Sequence, residues 1–187
     1  MAILSKSEIQ DMGFASVGDD VRISSKASLY NCANIRIGSH VRIDDFCVLS
    51  AGSGGIDIAN YVHIAVYTSL IGAGRISLGN YCNLSSRVSI YSSSDDYSGM
   101  TMTNPMVPSQ YTNVTHAPVM LGKHVIVGSG AVILPGVTLE DGVAIGALSL
   151  VRKSCQAFGV YAGVPVRLLG ERRRELLGLE KLLTSKA

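Results

Sequence analysis

LGKHVIVGSGAVILPGVTLEDGVAIGALSLV, residues 121–151, decides the fold. Leu121, Val127, Ile133, Leu139, Ile145 and Val151 recur every six residues without a slip. Four places after each stands a small or short residue: Val125, Ala131, Val137, Val143, Ser149 and Cys155. A period of six matches neither the 3.6 residues of a helical turn nor the two-residue alternation of a lone strand. It matches a stack of short strands in a chain that turns a corner at every hexad. One aliphatic side chain and one small one point inward on each face, and three faces close a coil. This is the repeat pattern of a parallel β-helix.

The same count runs upstream. Val17, Ile23 and Leu29 make a first coil, with Val21, Ala27 and Ala33 in the small slots. Ile37, Ile43 and Leu49 make a second, Ile58, Ile64 and Leu70 a third, and Leu78, Leu84 and Ile90 a fourth. Each interruption follows the third hexad of a coil, so all should protrude at one corner, stacked above each other. The largest, 91–120, has no register and is rich in Ser, Thr, Asn, Tyr and Pro. A structureless excursion of that size from a rigid scaffold points to function. With coils about 4.8 Å apart, the stack makes a prism roughly 25–30 Å long.

The ends read differently. Ser5 and Glu8 have capping-box spacing, and Gly13 ends the short helix they start. Glu171–Leu183 reads as an amphipathic helix with Leu176, Leu179, Leu182 and Leu183 on one side. It is expected to cover the open end of the stack, where unpaired backbone invites aggregation. The expected organisation is an N-terminal cap (1–16), a β-helix (17–169) and a C-terminal helix (170–187).

Bulk properties narrow the function. The chain of 187 residues is 47% hydrophobic, yet Gly, Ser and Asn interrupt every apolar run, which argues against a membrane span. A net charge of +2 without a basic, aromatic-interleaved stripe argues against nucleic acid. No signal peptide is legible at the N-terminus. Of four cysteines, Cys47, Cys82 and Cys155 fall in inward small slots, where they pack as buried thiols rather than pair or bind metal. A cytoplasmic location is the default expectation.

The hexads, the loop after the fourth coil and the run ILPGVTLEDGVAIGALSLVRKS…YAGVPVRLL resemble the hexapeptide-repeat acyltransferases. The match spans Val17 to Leu169 and is most similar to the sugar acetyltransferases of surface-polysaccharide pathways. The resemblance implies an all-β, left-handed parallel β-helix with a long protruding loop and a C-terminal α-helix. It also implies a homotrimer with a site between subunits, acetyl-coenzyme A as donor, no required metal, and a small-molecule sugar as acceptor. Independently of it, outward Tyr61, Val66, Tyr67, Tyr81 and Ile126 are more apolar than a lone prism should expose.

Moving an acetyl group from a thioester to a hydroxyl or amine requires a base near neutrality, donors for the oxyanion and two substrates held in line. Among the histidines, His40 and His124 fall at exposed hexad positions and read as surface. His63 stands at a corner, between Arg42 and Asn83 in the neighbouring coils, and His116 ends the excursion. The family's usual catalytic histidine opens the loop, where this chain has Asp95 in SSSDDYSG. The expectation is therefore an inverted pair across a subunit boundary: His63 as base, oriented by Asp95 of the next chain. His116 and Asp96 are the alternatives.

For the donor, Gly128, Ser129, Ala147 and Ser149 leave room for the pantetheine arm, and Ser129 and Ala147 match family positions that line it. Arg152, Lys153 and Arg167 match or adjoin the family's phosphate-binding positions. Arg172, Arg173 and Arg174 are a further basic run that a solvated helix face explains as well. Asn83, Tyr97 and Tyr111 are candidate sugar contacts. Two competing readings are a γ-carbonic-anhydrase-like metal enzyme and a non-catalytic β-helix scaffold. The first needs three converging histidines, but His63 lies outside the column of His40 and His124. The second needs neither the loop nor AGVPVR.

Overall fold

The computed structural model describes residues 2–185; positions 1, 186 and 187, at the tips of the two expected terminal segments, lie outside it. Strands of two to four residues alternate with corners and build three parallel sheets. The first sheet stacks Ser16–Val17, Ile35–Ile37, Ile56–Ile58, Ile76–Leu78, Val119–Leu121 and Thr138–Leu139. The second begins with Arg22–Ile23, Arg42–Ile43, His63–Ile64, Asn83–Leu84, Ile126–Val127 and Ala144–Ile145. The third runs from Ser28–Tyr30 to Leu150–Val151. The hexad count matches this register residue for residue. Val17 pairs with Ile37, then Ile58, Leu78, Leu121 and Leu139. Ile23, Ile43, Ile64, Leu84, Val127 and Ile145 form the second column.

The columns fill a dry interior. Ile23, Ile43, Ile64, Leu84, Val127, Ile133 and Leu139 are fully buried, with Cys47, Cys82, Val88, Val125 and Ala131 in the small slots between them. All four cysteines are free, and burial pushes the Cys47 thiol up to about 11 and Cys82 to about 12, so neither is a thiolate near neutrality.

The chain passes a first corner after the first sheet, a second after the second and a third after the third. At the third corner the interruptions nest as expected. Asn31 and Asn34 donate side-chain hydrogen bonds to the carbonyls of Ala51 and Gly52, and the Ala73 amide donates to Ser93 Oγ. Gly72 has φ +142, and a Cβ there would meet Ser93 N at 2.8 Å and Ser92 C at 2.9 Å. Only glycine fits that close approach. The long excursion leaves from this corner as a ribbon, Ser93–Ser94 against Thr115–His116.

Helix α1 (Lys6–Asp11) forms with the capping box of Ser5 and Glu8 and buries Ile9 at the N-terminal end of the stack. The other end departs from expectation. After the last coil, Gly159–Gly163 pairs with Ala144–Ile145 and folds back on Val166–Glu171, extending the second sheet by two strands. Helix α2 therefore starts at Leu176, not Glu171, and ends at Thr184. The unpaired edge of the second sheet offers hydrogen bonds to 166–171, which outweigh weak helix propensity beside Gly170. Nor does α2 bury its leucines against the stack: Leu179, Leu182 and Leu183 are exposed. The helix hangs beside the first corner, where Glu180 accepts hydrogen bonds from His124 Nε2 (2.7 Å) and Lys123 Nζ (3.4 Å).

Candidate active site

The outer face of the second sheet and the second corner beside it gather most of the polar chemistry. His63 opens a two-residue strand, so its side chain points outward while Ile64 points in. Ladder pairing sets Arg42 below it and Asn83 above it. His63 Nε2 lies 2.9 Å from Asp44 Oδ2, and Nδ1 lies 3.2 Å from Asn83 Oδ1. Arg42 Nε donates to Asp44 Oδ1 at 2.7 Å. The four residues form one connected line across three coils.

Asp44 is the buried member, with 8% of its side chain exposed, against 41% for His63. Burial pushes the Asp44 carboxyl up, but hydrogen bonds and charge from His63 and Arg42 outweigh it, and its pKa lies below the ordinary carboxylate value. An ionised Asp44 accepts a hydrogen bond from Nε2–H of His63; Nδ1 is then free to act as an acceptor only with the Asn83 amide turned so that its NH2 group, rather than Oδ1, faces the ring.

Ser129 and Ala147 stand farther along this same corner, in the next two coils, each three residues past the outward partners Ile126 and Ala144. Gly128 keeps the edge open there: a Cβ on it would meet Ala147 N at 2.5 Å. Ser149, expected to leave room beside the arm, instead faces inward, and its hydroxyl accepts the Gly163 amide at 3.2 Å. Arg152, Lys153 and Arg167 are exposed at the C-terminal end of the stack and have no ion pair among the described residues. Of the following arginines, two are occupied. Arg172 donates from Nη1 to the carbonyls of His124 (2.6 Å) and Gly142 (3.0 Å), and Arg174 lies 4.6 Å over the Phe158 ring.

The loop residues sit elsewhere. Asp95 is exposed, directly after the ribbon that leaves the third corner. Within one chain the carboxylate on His63 is Asp44, not Asp95. Asp96 accepts hydrogen bonds from the Ser98 amide and from the Thr101 amide and hydroxyl. Those bonds hold its pKa down to about 2, as a turn residue rather than a proton carrier. His116 Nδ1 is 2.7 Å from Ser93 Oγ. Tyr97 and Tyr111 are exposed on the loop.

Asp44 went unnoticed in the sequence because it lies outside the column that sets His63 between Arg42 and Asn83. The available signal was the doublet Asp44-Asp45 immediately after an inward isoleucine, at a corner next to the only outward histidine of the second sheet.

No protein-family model matches the chain. It is 55% identical to the dTDP-4-amino-4,6-dideoxy-D-glucose acyltransferase of Escherichia coli, over 100% of this chain and 97% of that one. It also superposes on AntD, an N-acyltransferase from Bacillus cereus. The complex of AntD with dTDP and 3-hydroxybutyryl-CoA gives a TM-score of 0.95 at 43% identity, over 100% of this chain and 98% of that one. An AntD variant with dTDP-4-amino-4,6-dideoxyglucose and coenzyme A gives a TM-score of 0.95 at 42% identity, over 100% and 99%. The chain belongs to the hexapeptide-repeat sugar acyltransferases. It is an enzyme that moves an acyl group from an acyl-coenzyme A to a sugar.

Proposed function

We propose that the acceptor is the 4-amino group of a dTDP-linked 4-amino-4,6-dideoxyhexose, and that the acyl group is acetyl or a similarly short chain. The observation that carries this reading is the 55% identity, over the whole chain, to the dTDP-4-amino-4,6-dideoxy-D-glucose acyltransferase, and the Asp44–His63–Asn83 line supplies a base for it. The thioester carbonyl would lie beside Ser129 and the amine beside His63. The amine nitrogen attacks the carbonyl carbon, the C–S bond breaks, and coenzyme A leaves as the thiolate. His63 Nδ1 takes the proton shed by the nitrogen and returns it to the sulfur, while Asp44 stabilises the imidazolium. Asn83 must yield its contact to the incoming amine. Arg152, Lys153 and Arg167 hold the phosphates of coenzyme A, as fixed cations suit them.

The loop and the His63 line leave from different corners of one chain, so a site containing both needs another copy. A homotrimer, with Asp95 of one protomer reaching the second corner of the next, satisfies that geometry; Tyr97 and Tyr111 then border the sugar. The free cysteines fit a reducing, cytoplasmic setting. Among the described residues no helix is long and apolar enough to cross a membrane.

The test is coenzyme A release from acetyl-coenzyme A with dTDP-4-amino-4,6-dideoxyglucose and with dTDP-glucose, which offers only hydroxyls. Turnover should require the amine; equal turnover with dTDP-glucose refutes the reading. His63→Asn should lower kcat by about 10²–10⁴, and near-normal turnover removes His63 as base.

A further inference from the structure

The three corners are tied along the stack by different means. At the first, the rings of His40, Tyr61, Tyr81 and His124 stack with centroids 4.5–5.1 Å apart, and at the second Phe46 and Tyr67 stack at 5.0 Å. The third corner has no ring stack among the described residues; polar side chains link its turns instead. It is also the corner from which the long loop leaves.

That loop hangs on a narrow neck. Two residue pairs, Ser93 with His116 and Ser94 with Thr115, make the whole ribbon. A two-stranded ribbon so short is not stable by itself in water. The loop beyond it is bonded to itself, through the Asp96 turn, a bridge between Met102 and Thr112, and the Met102 amide on the Tyr111 carbonyl. It buries little against the coils: Tyr97, Met100 and Met106 are each 88–92% exposed. The direction it takes is therefore set at the neck.

Two levels of hydrogen bonds hold the neck. In the lower, Ser92 is fully buried, its hydroxyl donates to the Gly74 carbonyl (2.7 Å) and its carbonyl accepts the Ala117 amide (3.0 Å). In the upper, Ser93 Oγ accepts the Ala73 amide (2.8 Å) from the preceding coil's interruption and lies 2.7 Å from His116 Nδ1 on the returning strand. One hydroxyl thus ties the coil below to both arms of the ribbon. Asp95 follows two residues on, about 7 Å farther along an extended chain.

We propose that Ser93 and His116 form a clasp that aims the loop, and that both are positioning residues for acyl transfer. This rests on the reading that the loop carries Asp95, Tyr97 and Tyr111 to the second corner of the neighbouring protomer. Slack in the clasp swings those residues away from the sugar and leaves the donor site, built on the coils, in place.

The test is steady-state kinetics with acetyl-coenzyme A and dTDP-4-amino-4,6-dideoxyglucose for Ser93→Ala, His116→Leu, the double variant, and the conservative Ser93→Thr and His116→Asn. Asparagine puts Oδ1 or Nδ2 where histidine has Nδ1, so it completes the bond in either tautomer. The expected result is a KM for the sugar raised about 3–10-fold in Ser93→Ala and in His116→Leu, the worth of one hydrogen bond. The double variant should be no worse than either single one, because the two residues share that bond. The KM for acetyl-coenzyme A should stay unchanged, and Ser93→Thr and His116→Asn should behave as wild type. A fall in kcat with neither KM moved, or both KM values rising together, marks a loosened fold and overturns the clasp. His116→Asn failing as badly as His116→Leu also overturns it. Asp95→Asn separates the clasp from the reading beneath it. If Asp95→Asn is impaired while Ser93→Ala and His116→Leu are not, the clasp alone is overturned. If all three turn over as wild type, the loop reading falls and the clasp with it.

Discussion

Asp44 is held ionised by Arg42 on one oxygen and by His63 on the other. Its lowered pKa stabilises the fold above the ordinary carboxylate pKa, and that contribution is lost as pH falls through the lowered value. Asp44→Asn should therefore flatten the acid limb of melting temperature against pH; an unchanged limb would separate Asp44 from acid sensitivity. The same variant should lower kcat by less than the about 10²–10⁴ expected for His63→Asn, because the imidazole remains but loses its orienting charge. At this scale the sequence was partly legible. The column Arg42–His63–Asn83 could be counted off by sixes, since outward neighbours in a β-helix are fixed by register. Asp44 could not, because a corner residue's direction depends on local backbone turns that no period encodes.

Elements divide into those set by the stack and those hung on it. The strands could be read because each contributes one inward aliphatic to a column, and a slip by one residue would turn every such side chain outward. Helix α2 was misread at both ends of its role, in where it starts and in what it covers. Its leucine spacing shows an apolar face but not the surface that face meets. A helix of nine residues is marginal alone in water, so the bonds from His124 and Lys123 to Glu180 should matter to it. Glu180→Ala should speed amide exchange across 176–184 while costing at most about 1 kcal/mol in global stability. Retained protection in that segment would show that another contact holds it. The loop is separable in the same sense: excising 94–115 should leave the coils folded, by circular dichroism, and abolish acyl transfer. Surviving activity would remove Asp95, Tyr97 and Tyr111 from the site.

The whole molecule behaves as a one-dimensional array in which each coil rests on its neighbours. Ile64, fully buried in mid-stack, has coils above and below that cannot collapse around a void. Ile64→Ala should cost about 2–5 kcal/mol, measured by denaturant unfolding. The exposed Leu179, Leu182 and Leu183 of α2, with Leu168 and Leu169 nearby in sequence, leave an apolar surface that an isolated chain would not keep wet. Light scattering should give the mass of three chains, and Leu179→Glu with Leu182→Glu should lower it; a monomeric wild type would end the intersubunit assignment of Asp95.

The stacked column at the first corner also gives the protein a built-in optical gauge. There is no tryptophan among its 187 residues, so tyrosine dominates its near-ultraviolet absorption. Tyr61 and Tyr81, nearly parallel with centroids 5.1 Å apart, couple their transitions only while the third and fourth coils remain in register. Loss of that coupled dichroic band on heating would time the parting of two particular turns, independently of the signal from the backbone.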